Sequence, residues 1–379
     1  MYRRRLDLVK QLEKKSLFLL GPRTTGKSTL LEHQLPDARV YDLLDADVFS
    51  RLVREPKLLG EESPPNVIVA IDEVQKLPQL LDEVHRLIQK QNRRFLLTGS
   101  SARKLKRGAA NLLAGRAWEA RLFPLASSEI PKFDLVRYLN RGGLPQAYDS
   151  EDFAEELKSY ANLYLREEIQ AEALTRNLPA FARFLDAIAL SNGEELNYEG
   201  LASDCGLPAS TVTNYVRILE DTLIGFSLPA FIRTRKRKAI TRAKHFLFDV
   251  GVTNTLCRRG EIVPKSELFG RAFEHFIVLE CRAYLSYERK DLELAYWRST
   301  SQFEVDLVIG DELAIEIKST DLVTDRHLKG LRALKEEKNL VRRFMVVSLD
   351  KHPRRTEDDI EIVPWQTFTQ RLWSGELLG

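Results

Sequence analysis

Gly21-Pro22-Arg23-Thr24-Thr25-Gly26-Lys27-Ser28 has the form G-x-x-x-x-G-K-S, and its reading decides the first third of the chain. Phe18-Leu19-Leu20 before it predicts a buried strand, and Thr29-Leu30-Leu31 after it predicts the start of a helix. Strand, glycine-bearing loop and helix is the setting a phosphate-binding loop requires. Glycines let backbone N–H groups wrap phosphates, and a helix N-terminus adds positive potential. On this reading Gly21, Pro22, Arg23, Thr24, Thr25, Gly26, Lys27, Ser28 and Thr29 cradle a nucleotide. Lys27 would reach the β- and γ-phosphates of ATP, and the Ser28 hydroxyl would ligate Mg²⁺.

A partner motif follows in Val67-Ile68-Val69-Ala70-Ile71-Asp72-Glu73. Five apolar residues in succession predict a parallel strand buried on both faces. Its two carboxylates fall at the C-terminal end, where open α/β sheets bind ligands. Asp72 is expected in the Mg²⁺ shell. Glu73 is expected to orient or deprotonate the attacking water, which makes hydrolysis the outcome. A third apolar strand ends in Leu97-Thr98-Gly99-Ser100-Ser101. Thr98 is the first candidate there for sensing the γ-phosphate or placing water, and Ser100 the second. A basic helical stretch from Ala102 to Ala114 precedes Gly115-Arg116. Arg116 stands where a ring-forming ATPase projects an arginine into its neighbour's site, with Arg103 a weaker candidate.

With 379 residues the chain should form two to four domains. Its 30% charged and 44% hydrophobic residues are ordinary for a globular protein. The net charge of +3, from 58 basic and 55 acidic residues, points to no partner class, so local clusters carry the information. Cys205, Cys257 and Cys281 lack metal-ligand or disulfide spacing, which fits a reducing, cytoplasmic setting. Met1-Tyr2-Arg3-Arg4-Arg5 is not followed by the apolar core of a signal peptide. No apolar run approaches the ~20 residues needed to cross a bilayer.

The expected organisation is a P-loop unit over 1–140, a helical lid over 141–192, a winged helix over 193–232 and a mixed α/β unit over 233–379. Arg141-Gly142-Gly143-Leu144-Pro145 marks the end of the first unit. Phe153, Leu157, Tyr160, Leu163 and Tyr164 follow helical spacing in the second. In the third, Tyr198-Glu199-Gly200-Leu201-Ala202 opens one helix. Cys205-Gly206-Leu207-Pro208 turns the chain, and Ser210 to Leu219 forms a second helix. That is helix-turn-helix grammar, with 223–231 as the wing. Ser210, Thr211, Thr213, Asn214 and Arg217 are the candidate DNA contacts; packing or oligomerisation is the other use of such a fold. Arg233-Thr234-Arg235-Lys236-Arg237-Lys238, with Arg242 and Lys244 behind it, is either a solvated loop or a phosphate-contacting patch.

The C-terminal unit contains Phe303-Glu304-Val305-Asp306-Leu307-Val308-Ile309, the turn Gly310-Asp311-Glu312, and Leu313-Ala314-Ile315-Glu316-Ile317-Lys318. Two strands around a turn are expected. Glu316 and Lys318 share a face of the second strand. A two-residue turn would put Asp306 and Glu316 on opposite faces, whereas a three-residue turn places them together, and the latter is expected. An acid followed by E-x-K on the next strand is a metal-dependent nuclease arrangement. Asp306 and Glu316 would bind Mg²⁺, with Glu274 as an outer carboxylate, and Lys318 would position water. Arg298, Lys329 and Arg332 would hold flanking phosphates.

Taken together these segments resemble the prokaryotic AAA+ ATPases that join a P-loop domain to a C-terminal domain of unknown function. The matching stretches include Gly21 to Ser28, Ile71-Asp72-Glu73, Leu97-Thr98-Gly99-Ser100, Gly115-Arg116, Gly142-Gly143-Leu144-Pro145, Gly270-Arg271-Ala272-Phe273-Glu274, Glu304-Val305-Asp306 and Ile315-Glu316-Ile317-Lys318. The resemblance implies an α/β fold with an AAA+ P-loop domain and helical lid. It further implies a winged helix and a mixed α/β PD-(D/E)xK nuclease-like domain similar to archaeal Holliday-junction resolvases. Many AAA+ proteins carry Asn at the third-strand sensor, where this chain has Thr98 or Ser100. The reading that results is an ATP- and Mg²⁺-dependent motor acting on duplex or branched DNA as a ring of copies. Its rivals are an ATP-dependent nuclease and a nucleotide-gated switch in signalling or defence.

Overall fold

The computed structural model describes residues 2–100, 113, 115–164, 177–337 and 339–378. Arg103 and most of the basic stretch from Ala102 to Ala114 lie outside them. Five parallel strands form the N-terminal sheet: β1 (Ser16–Leu20), β2 (Arg39–Asp42), β3 (Val69–Asp72), β4 (Phe95–Gly99) and β5 (Ala117–Arg121). Their order is β2-β3-β4-β1-β5. Central β4 is buried along its whole length, as are Val69, Ala70 and Ile71 of β3. Strands covered on both faces read as continuous apolar runs, and these do. Because β1 lies between β4 and β5, the loop after β1 opens at the strands' C-terminal edge, beside the ends of β3 and β4. Helix α1 (Lys27–Gln34) leaves from that loop.

Helix α2 (Leu135–Arg141) is followed by a short helix at Pro145–Asp149. A helix at Phe153–Ser159 comes next, and further along the chain are α3 (Leu178–Leu190), α4 (Tyr198–Cys205) and α5 (Ala209–Asp221). Asn197 caps α4 through its side chain, and Gly206, at φ 63°, ends it in the left-handed region where a missing Cβ removes the strain. Val212, Tyr215, Val216, Ile218 and Leu219 turn one face of α5 inward onto Phe181 and Phe184 of α3. A two-stranded antiparallel hairpin follows, β6 (Gly225–Leu228) with β7 (Lys244–Leu247). Its second strand comes from the segment expected to belong to the C-terminal unit. The intervening residues run out to that unit, where Ala230 bridges Tyr296 and Ala239 bridges Ser299.

Asp249 caps α6 (Val250–Leu256), and Ser266 caps the long α7 (Glu267–Tyr287). The C-terminal sheet is six-stranded, in the order β12-β13-β11-β10-β9-β8. Its strands are β8 (Leu294–Arg298), β9 (Glu304–Ile309), β10 (Leu313–Lys318), β11 (Arg343–Ser348), β12 (Arg354–Arg355) and β13 (Ile360–Pro364). Helices α8 (Lys329–Lys335) and α9 (Trp365–Trp373) pack against it. One apolar cluster runs from Leu17, Leu19 and Leu30 through Phe273, Phe276 and Ile277 to Ile315 and Met345. Helix α7 is therefore a spine shared by the first and last units. Buried polar bonds reinforce it: Glu280 on α7 accepts from Ser127 N and Oγ at 2.7 Å each and from Trp373 Nε1 at 2.6 Å.

The loop Gly142-Gly143-Leu144-Pro145, legible in the sequence only as punctuation, is a joint. Asp249 Oδ2 accepts from Gly143 N at 2.7 Å, and a Cβ on Gly142 would stand 2.1 Å from Asp249 Oδ1. No helix among the described residues is long and apolar enough to cross a membrane.

Candidate functional site

The loop after β1 is shaped by close approaches. A Cβ on Gly21 would lie 2.5 Å from the Leu122 carbonyl oxygen, and Gly26 caps α1 at φ 91°, so both positions need glycine. Thr24 adopts φ 60°. Thr25 Oγ1 donates to Pro22 O at 2.8 Å. Lys27 is buried, and its Nζ donates to Gly21 O at 2.7 Å and Pro22 O at 3.0 Å. Ser28 and Thr29 are exposed at the start of α1, and Arg23 is half-buried.

Behind the loop the two acids and the two hydroxyls form one network. Ser28 Oγ donates to Asp72 Oδ2 at 3.0 Å. Thr98 Oγ1 donates to Asp72 Oδ1, and Glu73 N donates to Asp72 Oδ1 at 3.1 Å and Thr98 Oγ1 at 3.2 Å. Glu73 sits at φ 54°, ψ 44°. A non-glycine residue in the left-handed region costs on the order of 1–3 kcal/mol and persists only where its surroundings hold it. Gln75 is one such hold: its Nε2 donates to Glu73 Oε2 and, at 3.3 Å, to Ser100 Oγ. Thus Thr98 braces Asp72, while Ser100 reaches Glu73 only through Gln75. Sequence reading missed Gln75. The signal for it was Gly99, where a Cβ would stand 2.6 Å from Gln75 Oε1. The donors around Ser28 and Asp72 are all oxygens, which suits a hard cation such as Mg²⁺.

Arg4 was missed as well. Its side chain is 6% exposed, pairs with Glu129 at 3.0 Å, and donates to Thr25 O at 2.7 Å and Phe123 O at 2.6 Å. Beside it a cavity of about 290 Å³ opens next to the loop, lined among others by Tyr2, Thr25, Thr29, Leu30 and Gln146.

Arg116 lies elsewhere. It immediately precedes β5, whose Ala117 pairs with Ser16 at the start of β1. The phosphate loop follows the other end of β1, roughly 15 Å away at about 3.3 Å per residue. Arg116 is half-buried, with its N bonded to Leu113 O at 2.9 Å.

In the C-terminal sheet, the three-residue turn forms as expected. Leu313, Ala314 and Ile315 pair with Ile309, Val308 and Leu307, and one further step sets Glu316 across from Asp306. Ile317 N donates to Asp306 Oδ2 at 2.7 Å. Lys318 Nζ bridges the two acids, 2.6 Å from Glu316 and 3.2 Å from Asp306. Glu274 is drawn to the same place, but by a second lysine. Lys244 Nζ is 3.3 Å from Glu274 and 2.7 Å from Glu304, with the Tyr296 ring centroid at 5.2 Å.

The expected metal site does not fit this arrangement. Among the described residues no group of three or more His, Cys, Asp or Glu side chains is arranged to hold a metal ion. The carboxylates expected to be ligands face two ammonium groups instead. One buried acceptor, Glu316 Oε2, has no hydrogen-bond partner among the described residues, whereas Mg²⁺ takes about six oxygens. Burial, then Asp306, pushes Glu274 up to about 7 against the pull of Lys244 and Lys318. Burial and Asp306 also raise Glu316. Burial acts to lower Lys244, but Glu274, Asp306 and Glu304 outweigh it, and its net shift is upward. Lys318 is raised in the same way by Asp306 and Glu316.

Other expectations shift too. Lys244 is 5% exposed and so does not belong to the basic patch. Arg298 is committed to Glu195 at 3.1 Å and Glu304 at 3.7 Å, and Arg332 to Asp325 at 3.0 Å and Asp358 at 2.9 Å, while Lys329 is exposed. Ser210, Thr213, Asn214 and Arg217 are exposed on α5, and Thr211 is half-buried. The loop at 233–238 is held from below. Glu337 accepts from the backbone N–H groups of Arg235, Lys236 and Arg237 at 2.8–2.9 Å, which leaves Arg233, Arg235, Lys236 and Lys238 exposed.

Residues 13–131 match a family described as an AAA domain. The first third of the chain thus resembles an AAA domain. Residues 132–262 and 269–368 match two domains of unknown function, DUF8612 and DUF4143. An uncharacterized protein of Methanocaldococcus jannaschii is 24% identical over 335 residues, covering 78% of this chain and 72% of that protein. A second from the same organism is 22% identical over 435 residues, covering 96% and 86%. Among solved structures, the Aeropyrum pernix ORC1 protein in complex with DNA has a TM-score of 0.28 at 13% identity, over 64% of this chain and 86% of that one. The Thermotoga maritima RuvB Holliday junction branch migration motor has a TM-score of 0.27 at 15% identity, over 59% and 86%. The AAA domain supports ATPase activity in general.

Proposed function

We propose that this protein is an ATP-hydrolysing motor that acts on duplex or branched DNA as a ring of copies. The observation that carries the reading is the bonded set Ser28, Asp72, Thr98 and Glu73 at the C-terminal edge of the sheet, beside a glycine-shaped loop containing Lys27. Lys27 rests on two backbone carbonyls that a phosphate would displace. Ser28 and Asp72 would hold Mg²⁺, which supplies neutralisation of phosphate charge. Glu73 orients and deprotonates the attacking water, and Gln75 sets where its carboxylate points. The cavity between Tyr2, Thr29 and Gln146 takes the nucleoside end of ATP.

Arg116 is too far from its own loop to serve it, so an arginine there acts on the site of a neighbouring copy. DNA is gripped by the exposed face of α5 and by the loop at 233–238. That loop would give affinity that falls with salt and does not depend on sequence. Hydrolysis measured with single-stranded, duplex and four-way DNA tests the assignment. Stimulation by duplex or four-way DNA is expected. An identical rate with every DNA and with none would remove DNA from the account and leave a nucleotide switch.

A further inference from the structure

The C-terminal carboxylates form two pairs, and one ammonium group bridges each. Lys318 joins Asp306 to Glu316, and Lys244 joins Glu274 to Glu304. The two lysines reach the cluster differently. Lys318 belongs to the same sheet as its partners, on β10. Lys244 is delivered from outside, at the first position of β7 in the hairpin that packs beside α5. Its side chain is 6% exposed. A buried ammonium persists only when paired, since its desolvation costs several kcal/mol.

We propose that Lys244 is the resident cation of the C-terminal cluster, occupying the place of a divalent metal, so that the site takes no metal while the hairpin strand stays docked. The hairpin then plugs a carboxylate site that belongs to another unit of the chain. Three features support this. The aromatic face of Tyr296 completes the ammonium's surroundings. The segment leading into β7 is fastened to β8 on the same side, with Tyr296 Oη donating to Arg242 O at 2.6 Å. Glu195 also pairs with Lys244 through the backbone, as a bridge. Withdrawal of that strand would remove one positive charge, leaving Glu274 without its lysine and Glu304 with Arg298 at 3.7 Å, while Asp306 stays with Lys318. Oxygens left unpaired in this way favour Mn²⁺ or Mg²⁺.

The probe is Mn²⁺ alone, added to the nucleotide-free full chain and followed by electron paramagnetic resonance and by thermal unfolding. Lys244→Met keeps the aliphatic stem and deletes the charge. It should gain one Mn²⁺ per chain, with binding at least tenfold tighter than in wild type, and Mn²⁺ should raise its Tm. Wild type and Asp306→Asn should bind the same number of ions, because the plugged cluster contributes none. Failure of Lys244→Met to gain a site overturns the proposal. So does one additional Mn²⁺ in wild type that is lost in Asp306→Asn, a comparison that does not depend on Lys244→Met folding.

Discussion

At both ends of the molecule a lysine is packed among oxygens, and the oxygens differ in kind. Lys27 donates to the carbonyls of Gly21 and Pro22. Those bonds are neutral on the acceptor side, and an arriving phosphate offers the ammonium more. Lys244 and Lys318 are each bound by two carboxylates. A phosphate arriving there meets two ammonium groups already shared among four carboxylates. Both regions set acids beside a lysine, and from residue types alone both read as Mg²⁺ sites. What separates them is where the counter-charge comes from. The N-terminal loop leaves it to the ligand, whereas the C-terminal cluster supplies it from its own chain.

The largest effects should come from deleting those lysines one at a time, because the two deletions should fail in opposite ways. Lys27→Ala should abolish measurable ATP binding and leave the Tm of the empty protein nearly unchanged. Lys244→Ala should keep ATP binding and lose about 3 kcal/mol of stability, the low end for breaking a buried pair, since Glu274 and Glu304 are 25% and 32% exposed. Nucleotide titration and chemical denaturation of both variants check this. A Lys244→Ala protein as stable as wild type would erase the contrast.

Much of the first region was legible in the sequence. The glycine spacing and the apolar run into Asp72-Glu73 report local geometry, and local geometry is what periodicity encodes. The turn at Gly310 to Glu312 was legible for the same reason, since side-chain alternation fixes the register. Gln75, Arg4 and Lys244 were not. Gln75 matters because of a glycine on another strand, Gly99. Arg4 matters because the chain's start returns to the loop and to Tyr287, with Nη2 at 3.3 Å from the Tyr287 hydroxyl. Lys244 followed a basic run and read as part of it, but strand pairing turned it inward. No spacing rule could announce that the hairpin's second strand lies 15 residues beyond its first.

A smaller effect sharpens the picture of β7. Lys244 and His245 are neighbours on that strand and point to opposite faces. One is kept charged and the other neutral. Burial, then His275 and Arg282, lowers His245 to about 3. A depressed folded value means unfolding takes up a proton, so this contribution is present above the unfolded value of about 6.5 and is lost as pH falls towards about 3. His245→Leu should therefore flatten the decline in stability across that window, measured by denaturant unfolding at stepped pH. An unchanged slope would mean that His245 does not titrate on unfolding.

The most direct measurement is ATP turnover and ATP binding in Glu73→Gln. That substitution removes the base and leaves Ser28, Asp72 and Lys27 in place. The account predicts ATP affinity within a few-fold of wild type and turnover lower by about 10²–10⁴-fold, the usual contribution of a positioned general base. Turnover at the wild-type rate in the Glu73→Gln protein would contradict it.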